Sequence, residues 1–278
     1  MTDESDGGPP VLVLEPRPAS RRAWLADLGR HREVFAMLAR KDFQTRYKRA
    51  SLGVLWAVAV PVLQGVVLAV VFSRVLNMTD TAGYGAYVFS GVIAFSYFSS
   101  TLSTSVTAIV DGSGLTDKVW FPRALLVLVP GVANLVALAV SSLVLVIALP
   151  FLGSSIEPRV VLLLPGAALL VAFTVSLSLV VSALHVYFRD VKFLVQAALL
   201  VWLYLTPIVF TKDYLEGLAS WVDFNPMTGI VTLFQMAALG VGDDWVRPVT
   251  VSVVVTLVLL VVGLEAQRRH DRLFVDLL

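Results

Sequence analysis

The chain has no cysteine, and only 15 % of its 278 residues are charged. Without cysteine it has no disulfide, no thiolate nucleophile and no cysteine-held metal. A soluble domain normally carries about a quarter charged residues. Here the charges are also segregated. Uncharged runs cover 50–73, 81–110, 124–156, 160–188, 193–211, 224–242 and 248–264. Runs of that length suit a bilayer span rather than a buried helix of a soluble core. None of them offers the intramembrane charge that secondary transporters and proton pumps use for coupling. No channel filter motif or charged ring is present. The nucleotide-binding, zinc-protease, serine-nucleophile and dinucleotide signatures are missing too. No catalytic residue is therefore expected in this chain, and any uphill transport must draw its energy from another one.

What is there is an all-α integral membrane pattern. Spans are expected at 52–76, 85–109, 124–150, 161–186, 191–210 and 246–267. Six spans put both chain ends on one side. Seventeen of the 21 basic residues then share that side, and only Arg74, Arg159, Lys212 and Arg247 lie opposite. Basic loops stay in the cytoplasm. A multi-pass protein of the cell membrane with both termini cytoplasmic is the expectation. Counting 224–242 as a seventh span would put Arg268, Arg269 and Arg272 outside, against that rule. The first apolar run begins only after residue 49, so it reads as a retained signal anchor rather than a cleaved leader.

The chain is organised around residues 40–61. A basic amphipathic segment ends at Arg49, and no charge follows until Arg74. The expected divisions are a cytoplasmic tail over 1–29, partly disordered, and an amphipathic interface helix over 30–51, lying in the headgroup plane. The six-span domain follows over 52–267, with a second tail over 268–278. Arg46, Tyr47, Lys48 and Arg49 stand at the cytoplasmic entrance of span 1. A guanidinium presents a fork of donors suited to phosphate. Topogenic charge accounts for the same cluster.

The cytoplasmic loop 110–123 is richer than a simple connection needs. It carries Leu115, Lys118, Trp120 and Phe121, and it reads either as a belt anchor or as a partner contact. Thr174, Ser176, Ser178 and Ser182 put small hydroxyls along span 4, which favours close helix packing over a lined pore. Phe89, Phe95, Tyr97 and Phe98 in span 2, with Trp202, Tyr204 and Phe210 at span 5, give aromatic faces that stack on sugars. An interfacial belt has the same composition. Pro207 stops span 5. In the outer segment 211–245, Asn225 caps a helix that begins at Pro226. That stretch is too short and broken for a span. It reads as re-entrant or interfacial, with a lipid-facing surface helix as the alternative.

Taken in order, these residues resemble the membrane subunit of polysaccharide-exporting ABC transporters of the ABC-2 type. The resemblance rests on Lys41-Asp42-Phe43, Arg46-Tyr47, Leu52-Gly53-Val54-Leu55-Trp56 and Pro61. It continues through Tyr187-Phe188-Arg189-Asp190, Thr206-Pro207-Ile208 and Asn225-Pro226. Lys41 stands where arginine is usual, and Phe210 where tyrosine is common. The match spans about 30–275. The family includes O-antigen and wall teichoic acid exporters, and the chain looks similar to the galactan exporters of mycobacteria and related actinobacteria.

The resemblance implies a homodimer with two copies of a separate nucleotide-binding ATPase. ATP and Mg would bind to that partner, and no cofactor to this chain. The implied cargo is a glycan on a polyprenyl diphosphate carrier, in contact with membrane lipid and with no nucleic acid. It implies that 30–49 is the interface helix, 115–121 the coupling helix and 212–240 the outer gate helices, with Pro207, Asn225 and Pro226 as gate residues. An ABC-2 exporter of drugs or lipids, and a non-transporting scaffold for a cytoplasmic enzyme, are the alternative readings.

Overall fold

The computed structural model describes residues 20–48, 53–75, 83–116, 121–211, 219–240 and 244–270. Regular structure among them is helical. Two helices precede the first apolar one: α1 (Arg21–Arg30) and α2 (Arg32–Tyr47). Then come α3 (Trp56–Val75), α4 (Tyr84–Asp111), the single turn α5 (Ser113–Thr116) and α6 (Ala124–Ala148). The chain continues as α7 (Leu163–Tyr187), α8 (Val191–Leu205), the short α9 (Ala219–Val222), α10 (Pro226–Leu239) and α11 (Val246–His270).

Four helical stretches are long and apolar enough to cross a membrane: Tyr84–Asp111, Ala124–Leu152, Pro158–Tyr187 and Val246–Arg269. The apolar stretches Val58–Phe72, Val191–Leu205 and Pro226–Leu239 are shorter. The span expected over 191–210 thus ends as helix at Leu205. Its physical cause is Pro207, which has no N–H to give and pushes the preceding residue out of the helical region. Thr206 accordingly adopts φ −101, ψ 135.

α4 lies at the centre. It packs against α3, α6, α7, α8 and α10. Its middle is buried, with Val92, Ile93 and Phe98 at 1 % exposure or less. A helix enclosed by protein on most sides can carry polar residues that lipid would not tolerate. α4 does so, and its hydroxyls serve its neighbour. Pro130 interrupts the hydrogen-bond ladder of α6. On either side of it, Ser105 Oγ donates to Val127 O at 3.1 Å and Tyr97 Oη to Gly131 O at 3.0 Å. Hydroxyl donors of this kind are what let membrane helices keep prolines.

The hydroxyl row of α7 serves packing. Thr174, Ser176, Ser178 and Ser182 are all fully buried. Thr174 and Ser176 return their hydroxyls to the carbonyls of Leu170 and Ala172. Ser182 and Leu179 O receive the Gln267 amide from α11 at 3.0 and 2.9 Å. Gly263 lets the two helices approach, because a Cβ there would lie 2.8 Å from Leu179 Cβ.

α10 is a half-length helix set inside the protein. Fourteen residues reach about 21 Å, against about 30 Å of hydrocarbon. Met227, Ile230, Val231 and Phe234 have no exposure at all. That burial is at odds with a lipid-facing surface helix. α10 is wedged between α4, α7 and α11. Asn225 starts it, accepting from Met227 N at 3.0 Å, and Gly240 ends it at φ +71. Gly229 meets α11 so closely that a Cβ would strike the Pro248 carbonyl and Ser252 Oγ.

The fold has two poles. One gathers the start of α4, the 149–162 connection and the end of α10. Ser154 Oγ donates to Ala238 O there, and Leu152 and Leu239 crowd Gly85 and Gly83. The other gathers α1, the end of α4, the start of α6 and the end of α7 around Trp24, Ile109, Ala124 and Val186. At that pole Arg21 of α1 bonds Glu265 of α11 at 3.2 Å.

Two substitutions test this packing. Gly229→Ala must displace backbone, so it should cost about 1–3 kcal/mol. Gly29→Ala, where nothing lies within 4 Å, should not destabilise. The difference in thermal midpoint of the detergent-purified protein reads this directly. Asn225→Ala removes a cap and strands buried donors, at about 2–3 kcal/mol. Faster hydrogen exchange at the start of α10 is the expected signature.

Candidate functional site

A furrow of about 590 Å³ opens between α3, α4, α6 and α8. It is built by periodicity on α4. Ser96, Ser99, Ser100 and Ser103 recur at helical spacing and line one face of it. Gln64 enters from α3, Asn134 and Ser141 from α6, and Gln196 from α8. Leu199, Leu200 and Leu203 of α8, with Trp56, Val60 and Pro61 of α3, form the apolar walls. A surface that mixes hydroxyls, carboxamides and apolar patches suits a chain that is itself amphiphilic, as carbohydrate is.

Asn134 ties the furrow to the amphipathic helix. Its Oδ1 accepts from Arg46 Nη1 at 3.2 Å. Its Nδ2 donates to Thr101 Oγ1 at 2.9 Å, with Ser100 Oγ at 3.5 Å. One amide thereby joins α2, α4 and α6. Arg46 Nε also donates to Asp42 Oδ2 at 2.9 Å, one turn back on α2. Arg46 Nη2 is buried and has no partner among the described residues. Lower down, Val34, Phe35 and Leu38 of α2 pack with Phe121, Leu125 and Leu126. α2 is thus docked along the first half of α6, from the Phe121 cluster to Arg46.

The expected site residues fall as follows. Arg46 reaches the furrow through Asn134. Tyr47 ends α2, and Lys48 follows it, exposed. Arg49 lies outside the described residues. Phe95 and Tyr97 line the furrow. Phe98 is sealed inside, packed edge-on against Phe95 and Trp202 and tilted against Phe173. Phe89 packs where α3 meets α4, close to Gly65. Tyr204 is exposed, and Phe210 is half-buried against the core. Leu115 is half-buried, and Phe121 is buried against α2. Lys118 and Trp120 lie outside the described residues.

Pro207, Asn225 and Pro226 come together at a break in the backbone. Residues 206–211 follow no regular helix, yet Thr206 to Val209 are buried. Each exposed carbonyl needs a donor in such a place. Pro207 O accepts from Gln235 Nε2 at 2.8 Å and from Tyr87 Oη at 3.1 Å. Val209 O accepts from Tyr84 Oη at 2.7 Å, and Phe210 O, at 3.0 Å, shares the single Tyr87 hydroxyl proton with Pro207 O. Asn225 staples α8 to α10. Its Oδ1 accepts from Trp202 Nε1 at 2.8 Å, while its Nδ2 donates to Leu205 O and Thr206 Oγ1 at 3.2 and 3.1 Å.

Sequence reasoning passed over Gln64, Gln196, Gln235 and the α4 serine face. A signal existed: lone carboxamides in apolar spans, and four serines at three- and four-residue spacing. Among the described residues, no group of three or more His, Asp or Glu is placed to hold a metal.

Two curated relatives are similar over most of their length. The O-antigen export system permease protein RfbA of Myxococcus xanthus is 26 % identical over 213 residues, covering 75 % of this chain and 81 % of the relative. The O-antigen export system permease protein RfbA of Klebsiella pneumoniae is 24 % identical over 258 residues, covering 91 % and 97 %. The family described as ABC-2 type transporter matches residues 33–239. The buried half-helix, the satisfied backbone break and the docked basic helix all lie in that matched region or at its edge, and the chain belongs to the ABC-2 type transporter family.

Proposed function

We propose that this chain is the permease subunit of an ABC transporter that exports a polyprenyl-diphosphate-linked polysaccharide across the cytoplasmic membrane. The furrow is the observation that carries the reading. It sets a row of hydroxyls and carboxamides beside aromatic and apolar walls, between the membrane-length α4 and α6 and the shorter apolar α3 and α8. Such a surface lets sugar hydroxyls exchange water for protein partners without one fixed pose. The two curated relatives are named as permeases of O-antigen export. That supports a glycan cargo of the same kind, O-antigen-like or galactan.

Six spans would be completed by α3 and α8, whose outward faces are apolar at Val66, Val70 and Val201. The Trp24 pole, rich in arginine, would face the cytoplasm together with both termini. A second copy would close the furrow into a path, and two copies of a separate ATPase would hydrolyse ATP with Mg. The ATPase would press on 110–123. Phe121 ties that loop to α2, so a push there would move α2 and Arg46 as one body. The 211–245 segment would form the outer gate, hinged at Pro207 and Asn225.

Arg46 would receive the carrier diphosphate, because among the described residues it is the cation bonded to a furrow side chain, Asn134. Arg46→Lys keeps the charge and removes the fork. Binding of a prenyl-diphosphate-linked oligosaccharide to the purified complex should fall by roughly tenfold, the loss of one charge-assisted hydrogen bond. Asn134→Ala, which frees the guanidinium from its clamp, should weaken binding less than Arg46→Lys. Unchanged binding in Arg46→Lys, with export intact, would reduce Arg46 to a structural link between α2 and α6. Trp120→Ala should uncouple ATP hydrolysis from export, measured as glycan delivered per ATP. A wild-type ratio would make Trp120 a belt residue.

A further inference from the structure

We infer that the furrow is selective for an uncharged glycan chain and disfavours one that carries phosphate or carboxylate in its repeats. The inference rests on the export reading and adds the substrate's charge class. Among the described residues, no Asp, Glu, Lys or Arg lines the furrow. Its polar groups are serine hydroxyls, the carboxamides of Gln64, Asn134 and Gln196, the Trp56 indole N–H and the Tyr97 hydroxyl, all of them uncharged. Hydroxyls and carboxamides both donate and accept, which matches the hydroxyls of a neutral sugar. Among the described residues the side chains of Gln64, Ser103 and Gln196 make no hydrogen bond, so their groups are open to a ligand.

An anionic repeat meets a different surface. Each charge that leaves water must be paired or solvated by the protein, and the cost recurs at every repeat along the chain. Among the described residues the furrow supplies no cation to offset it. Among the described residues the guanidinium at its edge is that of Arg46, held by Asp42 and Asn134 outside the lining. Two phosphates of a lipid carrier, arriving once per molecule, can be met at that edge. A phosphodiester in every repeat cannot, because α4 offers hydroxyls and apolar side chains but no cation along the furrow. The charge pattern therefore separates the two ends of one substrate: an anionic head at the mouth and a neutral chain within.

The test uses the full permease with its ATPase in proteoliposomes. Two probes are compared: a prenyl-diphosphate-linked neutral hexose oligomer, and the same oligomer with one phosphodiester per repeat. ATP-dependent delivery of the neutral probe should exceed that of the anionic probe by roughly tenfold or more, since unpaired charge in a poorly solvated path is strongly disfavoured. Ser100→Lys and Ser103→Lys, at exposed positions of the furrow, should narrow that ratio at least threefold, as an added cation offers each passing anion a partner. ATPase activity of the variants checks that they assemble. Equal delivery of both probes by the wild type would overturn the charge inference and leave the export reading standing. A ratio unmoved in both assembled lysine variants would place the discrimination outside the furrow and overturn it as well. Delivery of neither probe would overturn the export reading and the inference with it.

Discussion

Backbone polar groups in a bilayer have no water to turn to, and the structure is shaped by that constraint more than by any single contact. An unbroken helix satisfies it automatically. This chain breaks the rule after α8, where Pro207 ends the helix and residues 206–211 follow no regular one. The break survives because donors are brought to it from three other places. Tyr84 and Tyr87 come from the start of α4, Gln235 from the middle of α10, and Asn225 from its cap. Each spans a large sequence separation, so the break can form only once α4, α8 and α10 are assembled. The same logic keeps Pro130 in α6, where Ser105 and Tyr97 of α4 supply hydroxyls on either side. Irregular backbone and polar side chains are two halves of one arrangement, with α4 as the main donor.

That arrangement explains why α4 can be polar without being a liability. Its serines on the furrow side and its hydroxyls on the α6 side belong to different faces of one helix. One face holds the fold and the other faces open space. Asn134 is where the two meet, because it lines the furrow while bonding Thr101 and Arg46. A basic helix outside the core is thereby connected to the polar interior by two hydrogen bonds. A movement of α2 is felt at the furrow without passing through loosely packed side chains.

The sequence made the coarse architecture legible because charge segregation is a strong signal. Runs without charge marked α4, α6, α7 and α11 within a few residues. The apolar stretch after Asn225-Pro226 was read as too short to span, and it is a buried half-helix. What was less legible was which face of each helix meets protein and which meets open space. Hydrophobic patterning fails here, since lipid and protein interior are equally apolar. Phe98 and Phe95 look alike in sequence, yet Phe98 is sealed between Phe173 and Trp202 while Phe95 borders the furrow. Aromatic residues drew attention, but the lone carboxamides carried more information. An amide in an apolar span must have a partner or a cavity. Asn134 and Gln235 have partners; Gln64 and Gln196 line a cavity.

The placement of the few cations near the furrow then takes on meaning. Membrane proteins keep charge at the edges because desolvation there is cheaper, and this chain follows that habit closely. Arg46 stands at the edge of the furrow, clamped on one side by Asp42 and on the other by Asn134. A clamped guanidinium is pre-oriented, so little side-chain entropy is lost when a further acceptor approaches. Its remaining nitrogen, Nη2, is buried and unpartnered among the described residues. An anion that moved the clamp would therefore shift both α2 and Asn134. Recognition of a carrier head and rearrangement of the furrow's edge would then be a single event, carried by one side chain with three anchoring directions.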